Sequence, residues 1–174
     1  CDINFIVPDG KSYVILGKSG AGKSVLLKCI IGLMKPNKGD VFFDNVKLDT
    51  RSKDYFFDQF GMLFQGGALF DSLPVWENIT FKQKYLKKIK SVKERREIAE
   101  EKLFQVGLEN KILDLLPSQI SGGMQRRVAI ARAISTDPKI IFFDEPTSGL
   151  DPFSSNLINK IIKQIIKKLG ATSL

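Results

Sequence analysis

Residues 17–24 read GKSGAGKS, and VLLKCIIG follows at once. The chain gains backbone freedom at three glycines just before apolar residues take up helical spacing, predicting a helix from about Lys23 to Leu33. The run SYVIL at 12–16 precedes it and reads as a short strand ending at Gly17. Gly17, Gly22, Lys23 and Ser24 satisfy G-x-x-x-x-G-K-[ST] in the context that pattern requires. Glycines let the backbone curl until several N–H groups converge, and a helix N-terminus adds partial positive charge. The stretch Gly17, Lys18, Ser19, Gly20, Ala21, Gly22, Lys23, Ser24 and Val25 is therefore expected to cradle phosphate. In such a loop the lysine reaches the β- and γ-phosphates of a nucleotide, and the Ser24 hydroxyl ligates Mg²⁺. The alternative is an ordinary glycine-rich turn, and the flanking strand and helix weigh against it.

The rest of the chain alternates strand and helix, the pattern of an α/β fold with a mainly parallel sheet. DVFFDNVKL (40–48) reads as two short strands turning at Asp44-Asn45, a small antiparallel element. FGMLF (60–64) is another strand. From Gln65 to about Ser121 no convincing strand occurs, which suggests an inserted helical lobe. Within it Ser91-Val92-Lys93-Glu94 has the form of a capping box, and Gly107 ends that helix. KIIFFDE (139–145) returns to strand, an apolar run suited to burial on both faces. The last helix begins with Asp151 as N-cap and Pro152 at its first position. Leu157, Ile158, Ile161, Ile162, Ile165, Ile166 and Leu169 form its apolar stripe, with Lys160, Lys163, Lys167 and Lys168 opposite. ATSL begins one more strand, which is expected to be unpaired and to leave the sheet edge exposed.

A chain of 174 residues with 43% hydrophobic content can bury a real core. No apolar run approaches the roughly 18 residues of a membrane span, so membrane work is expected to need another chain. Cys1 and Cys29 are too few for a disulfide framework and are expected to be reduced, with Cys29 in the core. The net charge of +8 is concentrated. Between Lys82 and Lys102 nine Lys/Arg face four Glu, and that segment is expected to be a solvated face rather than a nucleic-acid footprint.

Two further constellations carry chemistry. Asp144 ends the apolar strand at the carboxyl edge, where open α/β sheets bind ligands, so it can hold Mg²⁺ directly or through water. Glu145 follows, free of the metal, and can polarise a water in line with the γ-phosphate. In ISGGMQRRVAIARAI (120–134), Ser121, Gly122 and Gly123 precede a helix and offer a second anion-binding N-terminus. Two such sites make sense if ATP is gripped from both sides.

The phosphate loop, a strand-ending Gln65, SGGM before a helix, FFDE and SGLD occur in the order seen in ATP-binding cassette (ABC) ATPases, which this chain resembles over nearly its whole length. The resemblance implies a P-loop NTPase fold whose RecA-like core comprises 1–64 and 136–174, with the helical lobe at about 66–135. It implies that two copies pair head to tail, so that Ser121, Gly122, Gly123 and Met124 of one complete the ATP site of the other. It gives Gln65 contacts to Mg²⁺ and to the attacking water, and makes Ser148–Asp151 a loop crossing the dimer interface. The family's commonest form is LSGGQ; here Ile120 stands for Leu and Met124 for Gln, which leaves backbone donors to carry the last contact. The family also carries a switch histidine and an adenine-stacking aromatic. This chain has no histidine, and it is expected to be truncated at both ends and to turn ATP over poorly.

MLFQGGALFDSLPVWENITF (62–81) with SGGMQRRVAIARAI is similar to the ATPase subunit of Mla-type phospholipid transporters, which work with Mce proteins. That implies a permease partner, an Mce-domain partner, no nucleic acid, and a peripheral place on the cytoplasmic face of the inner membrane. The surface around Phe70 to Trp76 would carry the coupling. A non-transport ABC ATPase would more often show a coiled-coil insertion or tandem cassettes, and a P-loop kinase or switch would not need the SGGM helix.

Overall fold

The computed structural model describes residues 3–18, 20–49, 52–85 and 91–174. Cys1, Ser19 and the lysines at 87, 88 and 90 therefore lie outside the described residues. The frame is set by two apolar strands, β3 (Phe60–Leu63) and β4 (Ile140–Phe143), which pair in parallel with Phe60 opposite Ile140 and Leu63 opposite Phe143. Their side chains alternate between two cores, as strand geometry demands. Leu63, Ile141 and Phe143 enter one; Phe60, Met62, Ile140 and Phe142 enter the other. A sheet apolar on both faces needs covering on both.

The smaller core is largely aromatic. Before β3 come α1 (Lys23–Ile30), the antiparallel pair β1 (Phe42–Phe43) and β2 (Val46–Lys47), and α2 (Lys53–Gln59). Asp44 and Asn45 both have positive φ, as the short hairpin turn requires. Phe60 lies 5.0 Å from Phe56 and 5.5 Å from Phe142, ring centre to ring centre, and Phe56 lies 5.7 Å from Phe43. Leu27 of α1 and Ile31, just past its end, close this core. The helix ends at Ile30, three residues before its predicted end, and closes when the N–H groups of Leu33 and Met34 both donate to Lys28 O.

The larger core runs from the sheet into a bundle of α3 (Val75–Ile79), α5 (Val92–Gln105) and α6 (Gly122–Ala133), with two 3₁₀ turns at Asn110–Ile112 and Pro117–Gln119, while α4 (Phe81–Tyr85) buries only Gln83. No strand interrupts 65–121 among the described residues. The helix α6 lies on β3 backbone to backbone: a Cβ at Gly61 would fall 1.9 Å from the Ala133 carbonyl oxygen. From the same side α7 (Pro152–Leu169) buries Ile158, Ile161 and Ile165, whereas Leu157 stays 38% exposed at the margin of the stripe. Asp151 caps α7 by accepting the Ser154 N–H at 2.9 Å, and Gly170 ends it with φ +61°.

Several expectations need correction. The final strand β5 (Thr172–Ser173) is an interior strand, parallel to β4 on one side and bridged to Ser12 on the other. SYVIL is not a strand: the Ser173 N–H donates to Lys11 O and its carbonyl accepts the Tyr13 N–H, and a two-residue β5 offers Val14–Leu16 nothing further to pair with. Val14 and Leu16 are consequently 78% and 88% exposed. Ser91 stands at the N-cap of α5, but its side chain makes no capping bond; it is exposed, where water competes for the same amides. Cys29 is a free thiol, only half-buried. The basic segment is not simply solvated. Arg95 is buried over the Trp76 ring at 4.9 Å, and buried Lys102 pairs with Asp137 at 2.7 Å.

Candidate functional site

Gly20 and Gly22 sit at φ +78° and +90°, conformations closed to most other residues, and they turn the chain into α1. Gly22 offers no side chain as N-cap, so the first amides of α1 stay available. The Lys23 ammonium folds over the loop and donates to Gly17 O at 2.8 Å and Lys18 O at 3.2 Å.

Two cross-links assemble the rest. The Ser24 hydroxyl donates to Asp144 Oδ1 at 3.3 Å, across 120 residues of sequence. Gln65 Nε2 donates to Glu145 Oε2 at 3.2 Å. The second arises because β3 and β4 end in register, a match extended when the Asp144 N–H donates to Leu63 O at 2.9 Å, whereas Ser24 reaches Asp144 from the first turn of α1. Gln65 and Glu145 therefore lie just past two adjacent strand ends, at the carboxyl edge of the sheet. Glu145 has φ +47°, a strained setting for a glutamate of the kind held at functional sites. The oxygen set of Ser24, Asp144 and Gln65 fits Mg²⁺, which keeps waters and substrate oxygens rather than seeking a full protein cage. No group of three or more His, Cys, Asp or Glu that could by itself hold a metal ion exists among the described residues.

At the other end of the molecule's chemistry, Ser121 caps α6 by accepting the Met124 N–H at 3.3 Å. Ser121 and Gly122 are exposed, and nothing lies within 4 Å of where a Cβ would stand at Gly122 or Gly123. No hydrogen bond joins 121–124 to the phosphate loop among the described residues; Arg126 of the same helix instead donates to Ser148 O at 3.1 Å. The helix N-terminus faces outward, toward whatever docks there.

Around Phe70 the structure corrects the expected surface. Phe70 to Ser72 are exposed, but Val75 and Trp76 are core. Asn78, which the sequence did not single out, holds this turn: it is fully buried, accepts the Phe70 N–H at 2.8 Å, and donates to Phe70 O and Leu73 O. Arg126 and Arg132 likewise escape a reading by motif. Their only signal is that arginines interrupt the otherwise small and apolar run VAIARAI and its leader MQRR.

With this geometry in view, similarity to known proteins is decisive. A family model described as ABC transporter matches residues 1–148. The chain belongs to the ABC transporter family. It is 41% identical over 180 residues to the probable ribonucleotide transport ATP-binding protein mkl of Mycobacterium tuberculosis, covering 99% of this chain and 48% of that protein. It is 39% identical over 178 residues to the intermembrane phospholipid transport system ATP-binding protein MlaF of Haemophilus influenzae, covering 99% of this chain and 66% of that one. The glutamine transport ATP-binding protein GlnQ of Geobacillus stearothermophilus is 40% identical over 169 residues, with 96% and 69% covered. The chain thus spans about half the length of the mkl proteins it matches. Among solved structures, the dimeric post-hydrolysis ATP-binding cassette MJ0796 bound to ADP and Pi superposes with TM-score 0.86 at 35% identity, covering 99% of this chain and 76% of that one. The fold is that of an ABC ATPase.

Proposed function

We propose that this chain is the ATP-binding and ATP-hydrolysing part of an ABC transporter subunit, acting as a head-to-tail pair beneath a membrane permease. The observation that carries the reading is the double cross-link Ser24–Asp144 and Gln65–Glu145 at one sheet edge. In this reading Gly17–Val25 and Lys23 hold the triphosphate, and Ser24, Asp144 and Gln65 hold Mg²⁺, which neutralises charge developing on the phosphates. Glu145 takes the proton of the attacking water, and Gln65 orients that water. Ser121–Met124 of a second copy close the site. The division into a core of 1–64 and 136–174 and a lobe of 66–135 belongs to this reading, with the lobe meeting the permease. Among the described residues no helix is long and apolar enough to cross a membrane, which suits a subunit held peripherally on the cytoplasmic face by its permease.

The finer reading is phospholipid transport of the Mla type, with an Mce-domain partner. The 62–81 segment and the MlaF match support it, while mkl and GlnQ match at 41% and 40%, so overall identity does not select the cargo. Co-purification of the full-length subunit with a permease and an Mce-domain protein would support this reading, and co-purification with an amino-acid importer would end it.

Two variants test the core proposal. Lys23→Ala should raise the Kd for MgATP at least about tenfold through loss of the charge facing the β/γ-phosphates. Glu145→Gln should cut hydrolysis by on the order of 10²- to 10⁴-fold and leave MgATP bound. Unchanged turnover in Glu145→Gln would remove Glu145 from its role.

A further inference from the structure

Of the three arginines on α6, Arg126 and Arg132 reach toward the sheet edge that carries Gln65 and Glu145. Arg132, at its last turn, donates to Gly67 O at 2.6 Å and Ala68 O at 2.8 Å and lies 5.7 Å from the Phe70 ring centre. Those carbonyls belong to an unusual loop. Gly66, Gly67 and Ala68 all have positive φ, at 74°, 89° and 46°, and the Gly67 N–H closes a turn on Phe64 O. An alanine at φ +46° is strained and holds only where its surroundings over-determine it. A planar cation with two parallel donors is a suitable restraint, since it fixes both carbonyls at once. Burial pushes the Arg132 guanidinium down to about 10, so it remains a cation at neutral pH. Gln65, one residue before this loop, is the residue bonded to Glu145.

Arg126 treats the other half of that pair in the same way. It is 7% exposed, and its Nη2 donates to Ser148 O at 3.1 Å. Ser148 in turn closes a turn on Glu145, its N–H donating to Glu145 O at 3.1 Å. Arg126 Nη1 is buried without a partner, so the single bond to Ser148 carries the contact. Each loop that begins with a member of the Gln65–Glu145 pair is therefore fastened to the same rigid helix, whose free N-terminus is Ser121–Met124.

We propose that Arg132 and Arg126 are positioning residues through which α6 sets Gln65 and Glu145 against each other, so that whatever engages the exposed N-terminus of α6 moves or locks the hydrolytic pair. The proposal rests on the functional reading above. Neither arginine touches the nucleotide in this account; Arg132 acts through 66–68 on Gln65, and Arg126 acts through the 145–148 turn on Glu145.

The test uses the full-length subunit and its steady-state ATPase kinetics. Arg132→Gln should lower kcat on the order of tenfold, the scale of a lost charge-assisted pair of hydrogen bonds, with KM for ATP changed less than about twofold. Arg132→Lys, which supplies one point donor in place of a fork, should recover only part of kcat. In a Gln65→Ala background Arg132→Gln should cost nothing more, because its route to the chemistry is already cut, whereas Arg126→Gln should still lower kcat. Arg127→Gln is the control on the same helix, since Arg127 donates to Gly107 O in the lobe at 2.8 Å. Its effect should add to that of Gln65→Ala. If Arg132→Gln lowers kcat by the same factor with and without Gln65, the positioning role is overturned. Amide exchange supplies a readout independent of turnover. Arg132→Gln should speed exchange across 66–70 on the order of tenfold and leave α5 unchanged; uniform loosening of the whole lobe would instead show a general structural role. A wild-type subunit without ATPase activity would sink the functional reading, and the exchange experiment would still decide whether Arg132 restrains the loop.

Discussion

At the scale of single residues, the sharpest constraint is steric. Gly61 lets α6 approach β3 until no side chain fits between them, and the clash partner at 1.9 Å is a backbone oxygen at the end of a packed helix. Gly61→Ala must push the helix off the strand, and should cost about 3 kcal/mol or more, read as a lower midpoint in urea unfolding. A loss under about 0.5 kcal/mol would mean that α6 slides freely over the sheet, contrary to this packing. Residues whose chemistry depends on local spacing are legible in the amino-acid sequence itself. Gly17, Gly22, Lys23 and Ser24 announce themselves within eight positions, and Asp144 and Glu145 follow an unmistakable apolar run. Gly61, Asn78, Arg126 and Arg132 are not legible there, because each acts on a backbone group far away or across a turn. The partner of Arg132 lies 64 residues upstream, and nothing in the local sequence points to it.

At the scale of elements, α7 shows how a cap turns into a pH dependence. Hydrogen bonds from the Ser154 side chain and backbone hold the Asp151 carboxyl below the usual carboxylate range. A carboxyl depressed in the folded state stabilises it at pH values above the unfolded pKa of about 4, and that contribution fades as pH falls through the folded value. Asp151→Ala should therefore lower Tm at pH 7, and the gap from wild type should narrow as the pH is brought below about 4. Asp151→Asn keeps an acceptor and should hold most of the cap without the acid-side narrowing. A gap that stays constant from pH 7 to pH 3 would contradict a charged cap. The helix itself is readable from its stripe and its Asp-Pro start, because helix periodicity and capping are local. The stretch at 12–16 misleads for the opposite reason. Strand status belongs to a pair, and an apolar run becomes a strand only where a neighbour supplies the matching ladder. The basic segment misleads in the same sense: charge counting sees no Trp76 ring and no Asp137, the two partners that let Arg95 and Lys102 turn inward.

For the whole molecule, the central fact is that the phosphate loop and the Ser121–Met124 helix end make no hydrogen bond to one another among the described residues, although the proposed chemistry needs both. The helix end is open, and Gly122 has free space where a side chain would stand, so Gly122→Asp should fold normally as a single chain. It would nevertheless place a carboxylate where a partner's γ-phosphate must approach, and like charges there repel. This permits a mixing experiment with full-length subunits. Lys23→Ala has a dead phosphate loop and an intact helix end; Gly122→Asp has the reverse, and each alone should be nearly inactive. In a head-to-tail pair the mixed dimer brings the intact loop of one copy to the intact helix end of the other, making one working site and one doubly defective site. Random association of equal amounts makes half the dimers mixed, so the mixture should recover roughly a quarter of wild-type ATPase activity if the two sites turn over independently. A site completed within one chain predicts no recovery at any ratio. The recovered activity should also rise and fall with mixing ratio as the product of the two fractions, peaking at equal amounts. Activity that followed only one variant's concentration would mean that this variant alone was never fully defective, and the head-to-tail assignment of Ser121–Met124 would lose its support.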